Sequence, residues 1–178
     1  DNEVLPACSQ AAAGENCLIG TAREDNYRTL AASCLADGHK VIAEAPSDIS
    51  LSKQLNILLN DVGVALTDIV THPTTGALGF GQVYIYTTVE RGRIAALDGD
   101  KLLQQPVVLN LGKEIGRVKK AVAGEDEYPQ WGPASVRAPL WEAATVLSYL
   151  EAGGELFVMR NPEALEQARE AIDRLWPK

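Results

Sequence analysis

Short, β-rich apolar runs alternate with longer segments of helical periodicity along this chain, and no other sequence feature constrains the fold as strongly. Five runs fit strands: 16–22 (NCLIGTA), 40–45 (KVIAEA), 68–71 (DIVT), 106–111 (PVVLNL) and 155–160 (ELFVMR). Each is apolar on both faces, as a parallel strand covered by helices requires; a half-exposed antiparallel strand would alternate apolar with polar. Helical spacing fills the intervals at 24–37, 49–62, 82–103, 140–150 and 162–175, and a further helix precedes the first strand at 3–13. Gly38, Gly63 and the Gly153-Gly154 pair stand where helices must stop, Asp48 stands where one must start, and Pro162 suits a first helical turn. The pattern lapses between 121 and 139, which is expected to be a surface loop.

A βαβα rhythm calls for right-handed crossovers and a parallel sheet, either open and doubly wound or closed into a barrel, and periodicity alone does not choose between them. The chain begins on a helix and supplies about five βα units, whereas a full (β/α)8 barrel takes about 250 residues. The expectation is therefore an α/β fold of (β/α) TIM-barrel type, the C-terminal part of the barrel, with residues 1–178 as a single partial domain.

Composition narrows the function classes. A net charge of −8, with the 16 Lys and Arg scattered, disfavours nucleic acid or an anionic membrane as partner. No apolar run approaches the roughly 20 residues that span a bilayer, and no basic-then-apolar stretch opens the sequence, so a cytoplasmic protein is expected. The three cysteines, Cys8, Cys17 and Cys34, have no CxxC spacing and only His39 and His72 to assist them. Reduced, mostly buried thiols are expected, with no metal site of this chain's own.

Several strings in order resemble one family: NCLIGTA at 16–22, GHKVIA at 38–43, KQLNILL at 53–59, PTTGALGFG at 73–81 and LFVMRNPEA at 156–164, with ER at 90–91 and LWEA at 140–143. The family is the small subunit of the corrinoid iron–sulfur protein, the delta subunit of the acetyl-CoA decarbonylase/synthase complex. The resemblance implies a TIM barrel paired with a large (gamma) subunit that carries an iron–sulfur cluster, with cobalamin between the two. It implies a place in one-carbon metabolism and carbon fixation, the reductive acetyl-CoA (Wood–Ljungdahl) pathway. There a methyltransferase delivers a methyl group from methyl-tetrahydrofolate or a related pterin, and the group passes to acetyl-CoA synthase/carbon monoxide dehydrogenase. The small subunit would be a non-catalytic scaffold and lid. His72 stands where the family pattern leads one to expect an acidic residue.

Ligands of parallel α/β folds bind beyond the carboxyl ends of the strands. That rule selects the loops 21–25, 45–48, 72–81, 110–114 and 160–163. With the resemblance, the glycine-rich loop is the leading candidate: Thr74, Thr75, Gly76, Gly79, Phe80 and Gly81 could hold an amide or the phosphate of a corrinoid tail, a tight turn being the plain alternative. Asp48 and Asn110 complete the expected cofactor-binding set, although Asp48 also suits a helix cap. No catalytic residue is expected. The competing reading is a stand-alone pterin-binding methyltransferase barrel, with Asp48 and Asn110 holding the pterin.

Overall fold

Each apolar run hands over to a helix in the computed structural model, which describes residues 3–177. The strands are β1 (Leu18–Ala22), β2 (Lys40–Glu44), β3 (Ile69–His72), β4 (Val108–Asn110) and β5 (Leu156–Val158). The helices are α1 (Val4–Ala11), α2 (Tyr27–Asp37), α3 (Ile49–Asp61), α4 (Gln82–Leu97), α5 (Leu111–Ile115), α6 (Lys119–Val122), α7 (Ala134–Ala152) and α8 (Pro162–Leu175). None is long and apolar enough to cross a membrane, among the described residues.

β1 pairs in parallel with β2, β2 with β3, and β4 with β5. A parallel bridge from Thr71 to Val107, with the Thr71 amide donating to the Pro106 carbonyl at 2.8 Å, joins the two groups. The strands therefore lie side by side in chain order, and their carboxyl ends share one rim. The helices follow the same order, α1 packing on α2, α2 on α3, α3 on α4, α4 on α7 and α7 on α8. A doubly wound sheet reverses its strand order at a switch point, and the described strands do not.

The core forms where helix stripes meet the strands. Tyr27, Leu30 and Cys34 of α2 and Leu55 and Leu59 of α3 bury against Val41, Ala43 and Ile69. Ile85 and Val89 of α4 with Val146 and Tyr149 of α7 bury against Leu109. Leu35 of α2 is exposed although apolar, and Asn56 is fully buried in α3, where its Nδ2 donates to the Leu102 carbonyl and Gln105 Oε1. The outer strands depart from the expected two-sided burial: Leu156 and Val158 of β5 are 43% and 51% exposed, because β5 has a neighbour on one edge only.

The elements depart most from the periodicity at three places. α4 ends at Leu97 rather than running to 103, because Gly99 takes φ +100° and Asp100 restarts the chain by accepting a hydrogen bond from the Leu102 amide. α7 begins at Ala134 and carries Pro139 inside it. That proline lies in the second turn, where the carbonyl it deprives belongs to Ser135, an exposed residue. Part of the expected loop is also helical, as α6. Among the cysteines, Cys34 is buried, its thiol pushed up to about 11 by burial and by Asp37, whereas Cys8 is exposed, contrary to mostly buried thiols.

Leu59→Ala should cost about 2–5 kcal/mol, the range for truncating a buried leucine. Leu97→Ala, at a side chain 78% exposed, should stay within about 0.5 kcal/mol. Urea unfolding of the two variants compares them directly.

Candidate polar rim at the strand ends

Parallel pairing places Glu44, the last residue of β2, directly opposite His72, the last of β3. Around them runs a row of polar groups. Arg23, just beyond β1, donates from Nη2 to Glu44 Oε1, and Glu44 Oε2 lies 3.5 Å from His72 Nδ1. On the far side of the imidazole, Thr75 Oγ1 is 3.5 Å from His72 Nε2 and accepts from the Asn110 amide at 3.0 Å. Asn110, the last residue of β4, caps α5 by accepting from the Lys113 amide. The row thus crosses four strands, with Glu44 of β2 as its carboxylate.

Burial drives the electrostatics. It holds the His72 imidazole below its ordinary 6.5; Glu44 opposes this, while Lys113 and Arg23 reinforce it. Burial pushes the Glu44 carboxyl up, but the Thr21 hydroxyl and the charges of Arg23 and His72 outweigh it, leaving Glu44 below its ordinary 4.5. At neutral pH the row holds an ionised carboxylate paired with Arg23 beside a neutral imidazole. At 3.5 Å the Glu44–His72 contact is electrostatic, and Nδ1 of His72 is buried without a hydrogen bond. His39, by contrast, is taken up structurally: Nδ1 accepts from the Cys17 amide and Nε2 donates to the Ser9 carbonyl.

The glycine-rich loop is held from behind by α7. Tyr149 Oη accepts from the Gly76 amide at 3.2 Å and donates to the Gly76 carbonyl at 2.7 Å. Thr145 Oγ1 accepts from the Leu78 amide, and Trp141 Nε1 donates to the Leu78 carbonyl at 2.8 Å. A β-carbon on Gly76 would sit 2.5 Å from the Gly81 carbonyl carbon, so the loop closes on itself only with glycine there. The amides of Gly76, Ala77, Leu78, Phe80 and Gln82 are all engaged within the protein.

Of the residues singled out in the sequence, Thr75 and Asn110 stand together in the row. Thr74 adjoins it, with φ +64° and its hydroxyl donating to the Pro73 carbonyl. Gly79 and Phe80 line a separate open groove of about 1050 Å³ between the loop and α7. Gly81 opens α4 in a left-handed conformation, and Asp48 caps α3 through Oδ1, which accepts from the Ser50 and Leu51 amides. Sequence reasoning missed Glu44, which falls one residue before the selected 45–48 loop. It also missed Glu142, a fully buried carboxylate on α7 that accepts from the Arg160 and Asn161 amides and from Asn161 Nδ2. No local signal separates Glu142 from a surface glutamate on an amphipathic helix.

Nuclear magnetic resonance titration should place the His72 midpoint below 6.5, and Glu44→Gln should lower it further, because the carboxylate is what raises it. Both groups have folded values below their ordinary ones, so each contributes stability that is present at neutral pH. That stability should be lost as pH falls, first below 6.5 through His72 and then below 4.5 through Glu44. Tyr149→Phe leaves both polar atoms of Gly76 without their partner and should cost about 1–3 kcal/mol by urea unfolding.

Comparison with known proteins shows the family. Residues 1–123 match the family described as CO dehydrogenase/acetyl-CoA synthase delta subunit. The chain is 34% identical to the acetyl-CoA decarbonylase/synthase complex subunit delta of Methanosarcina mazei, over 99% of this chain and 41% of that protein. It is 37% identical to the subunit delta of Methanothermobacter thermautotrophicus, over 96% of this chain and 43% of that one. The chain thus spans about two fifths of the length of these curated relatives. Among solved structures, Yersinia pestis DHPS with a pterine-sulfa conjugate superposes with TM-score 0.63 at 13% identity, over 98% of this chain and 66% of that one, a likeness of fold. Similarity over nearly its whole length places this chain in the delta-subunit family of the acetyl-CoA decarbonylase/synthase complex.

Proposed function

We propose that this chain is part of a (β/α) TIM barrel whose rim covers one face of a cobalamin shared with a large, iron–sulfur-carrying gamma subunit, as a non-catalytic partner in methyl transfer to acetyl-CoA synthase. The observation that carries the reading is the polar row at the carboxyl ends of four adjacent parallel strands, in a chain whose relatives are delta subunits of that complex. Residues 1–178 are then one partial barrel. The half-exposed apolar side chains of β5 and the single neighbour of β1 are the edges at which further strands complete it.

The residues present fit a corrinoid. The rim of a corrin bears neutral amide side chains, which want hydroxyl, carboxamide and carbonyl partners more than fixed charge. Thr74, Thr75 and Asn110 supply such groups, the buried Nδ1 of His72 lacks a hydrogen bond, and Asp48 keeps Oδ2 free of the cap. Gly76, Gly79 and Gly81 shape the loop, whereas Phe80, 53% exposed, faces the separate groove and not the row. Cobalamin, when bound, supplies the cobalt that carries the methyl group. This chain's residues bind the corrin edge, orient it and keep water from one side.

The competing reading, a stand-alone pterin-binding methyltransferase, draws on the likeness of fold to DHPS. Two measurements separate them. Mixed with its cobalamin-loaded large subunit, the protein should form a one-to-one complex at micromolar concentration, and Thr75→Val with Asn110→Ala should weaken it about tenfold. Methyl-tetrahydrofolate alone should leave tryptophan fluorescence unchanged. No association with the large subunit, together with a saturating pterin response, reverses the assignment.

A further inference from the structure

We propose that the groove between the glycine-rich loop and the amino-terminal half of α7 docks an acidic amphipathic helix of a partner protein. The inference stands apart from the cobalamin reading, since it concerns the 78–80 side of the loop and not the polar row.

The groove has a volume of about 1050 Å³, at the top of the range for small-molecule pockets. Its walls are Leu78, Phe80, Trp131, Val136, Leu140 and Trp141. Val136 and Leu140 are 62% and 58% exposed, too open to enclose a small ligand on most sides. Val136, Leu140 and Ala144 recur every four residues along α7, the ridge into which a second helix packs. The Trp131 and Trp141 rings, 5.3 Å apart, make one apolar wall. This is the form of a helix-in-groove surface, in which an amphipathic helix lays its apolar stripe into an apolar channel.

Charge selects the kind of helix. The chain carries −8 overall, yet the charged residues lining the groove are all basic: Arg117, Lys119, Lys120 and Arg137. Glu114 pairs with Arg117, and Glu127 with Lys119. Lys120 and Arg137 have no carboxylate partner among the described residues. Arg137 is only 4% exposed, its guanidinium donates to the Ala123 and Tyr128 carbonyls, and its Nε is buried without a partner. A guanidinium held by neutral carbonyls has no carboxylate to offset it beside the apolar wall. Aspartate or glutamate flanking an apolar stripe complements both features, and a basic helix is repelled.

Synthetic helical peptides with one apolar stripe and either Glu or Lys flanks, titrated against Trp131 and Trp141 fluorescence, test the proposal. The acidic peptide should saturate in the micromolar range, at least about tenfold tighter than the basic one, and should weaken as salt rises. Lys120→Glu with Arg117→Glu should erase that preference, and Leu140→Asp should abolish binding; an unchanged urea midpoint shows that each variant is folded. Equal binding of the two peptides, or binding of neither, overturns the proposal. So does a stoichiometric complex with 1-anilinonaphthalene-8-sulfonate that excludes the peptide, which makes the groove a small-molecule site. A dimer of the protein alone that Leu140→Asp dissolves overturns it too, since a second copy then fills the groove.

Discussion

Tyr149 reaches from α7 to the loop beyond β3 and closes both backbone hydrogen bonds of Gly76 with one hydroxyl, accepting from the amide and donating to the carbonyl. Burial makes the phenol a poor acid, pushed up to about 12 although the Gly76 bond opposes it, so the hydroxyl keeps its proton as donor throughout the physiological range. Because Gly76 is held there, Thr75 points along the strand ends toward His72 and Asn110, and Leu78 and Phe80 are turned out toward the groove. Two surfaces of different chemistry, one polar and one apolar, thus diverge from one turn that α7 holds through Tyr149, Thr145 and Trp141.

Two buried ions extend the same design. Glu142 on α7 gathers the Arg160 and Asn161 amides, fixing the turn between β5 and α8, while Arg137, less than two turns earlier, gathers the Ala123 and Tyr128 carbonyls, fixing the segment beyond α6. In each case a charge compensates backbone groups that a connecting segment would otherwise leave unpaired. α7 therefore serves as the post to which the loops after β3, β5 and α6 are tied. Its amphipathic pattern shows a helix with a buried side, but not which of its polar residues hold the loops.

Much of the architecture was legible because it is local. The five strands and the helices at 27–37, 49–61 and 162–175 appear where periodicity puts them, since their buried stripes recur at fixed spacing. Asp48 as a cap was equally legible, because the residue and the amides it satisfies lie within three positions. Misread boundaries came from residues whose effect depends on what surrounds them. Pro139 is tolerated because it falls early in α7, where the residue whose carbonyl it deprives, Ser135, is exposed; Gly99 ends α4 because Asp100 stands ready to restart the chain.

The candidate site divides in the same way. The sequence by itself determined that parallel strands would bring their following loops to one rim, and that Thr75 and Asn110 would stand there, because chain direction and loop position are properties of consecutive residues. Only the tertiary structure decided that Glu44 would face His72 across a strand pair, that Phe80 would turn away from the row, and that buried Arg137, held by carbonyls and no carboxylate, would line the same groove as two tryptophans. Those relations join residues separated by long stretches of chain, and their energies come from burial and from distances that exist only once the strands have taken their neighbours.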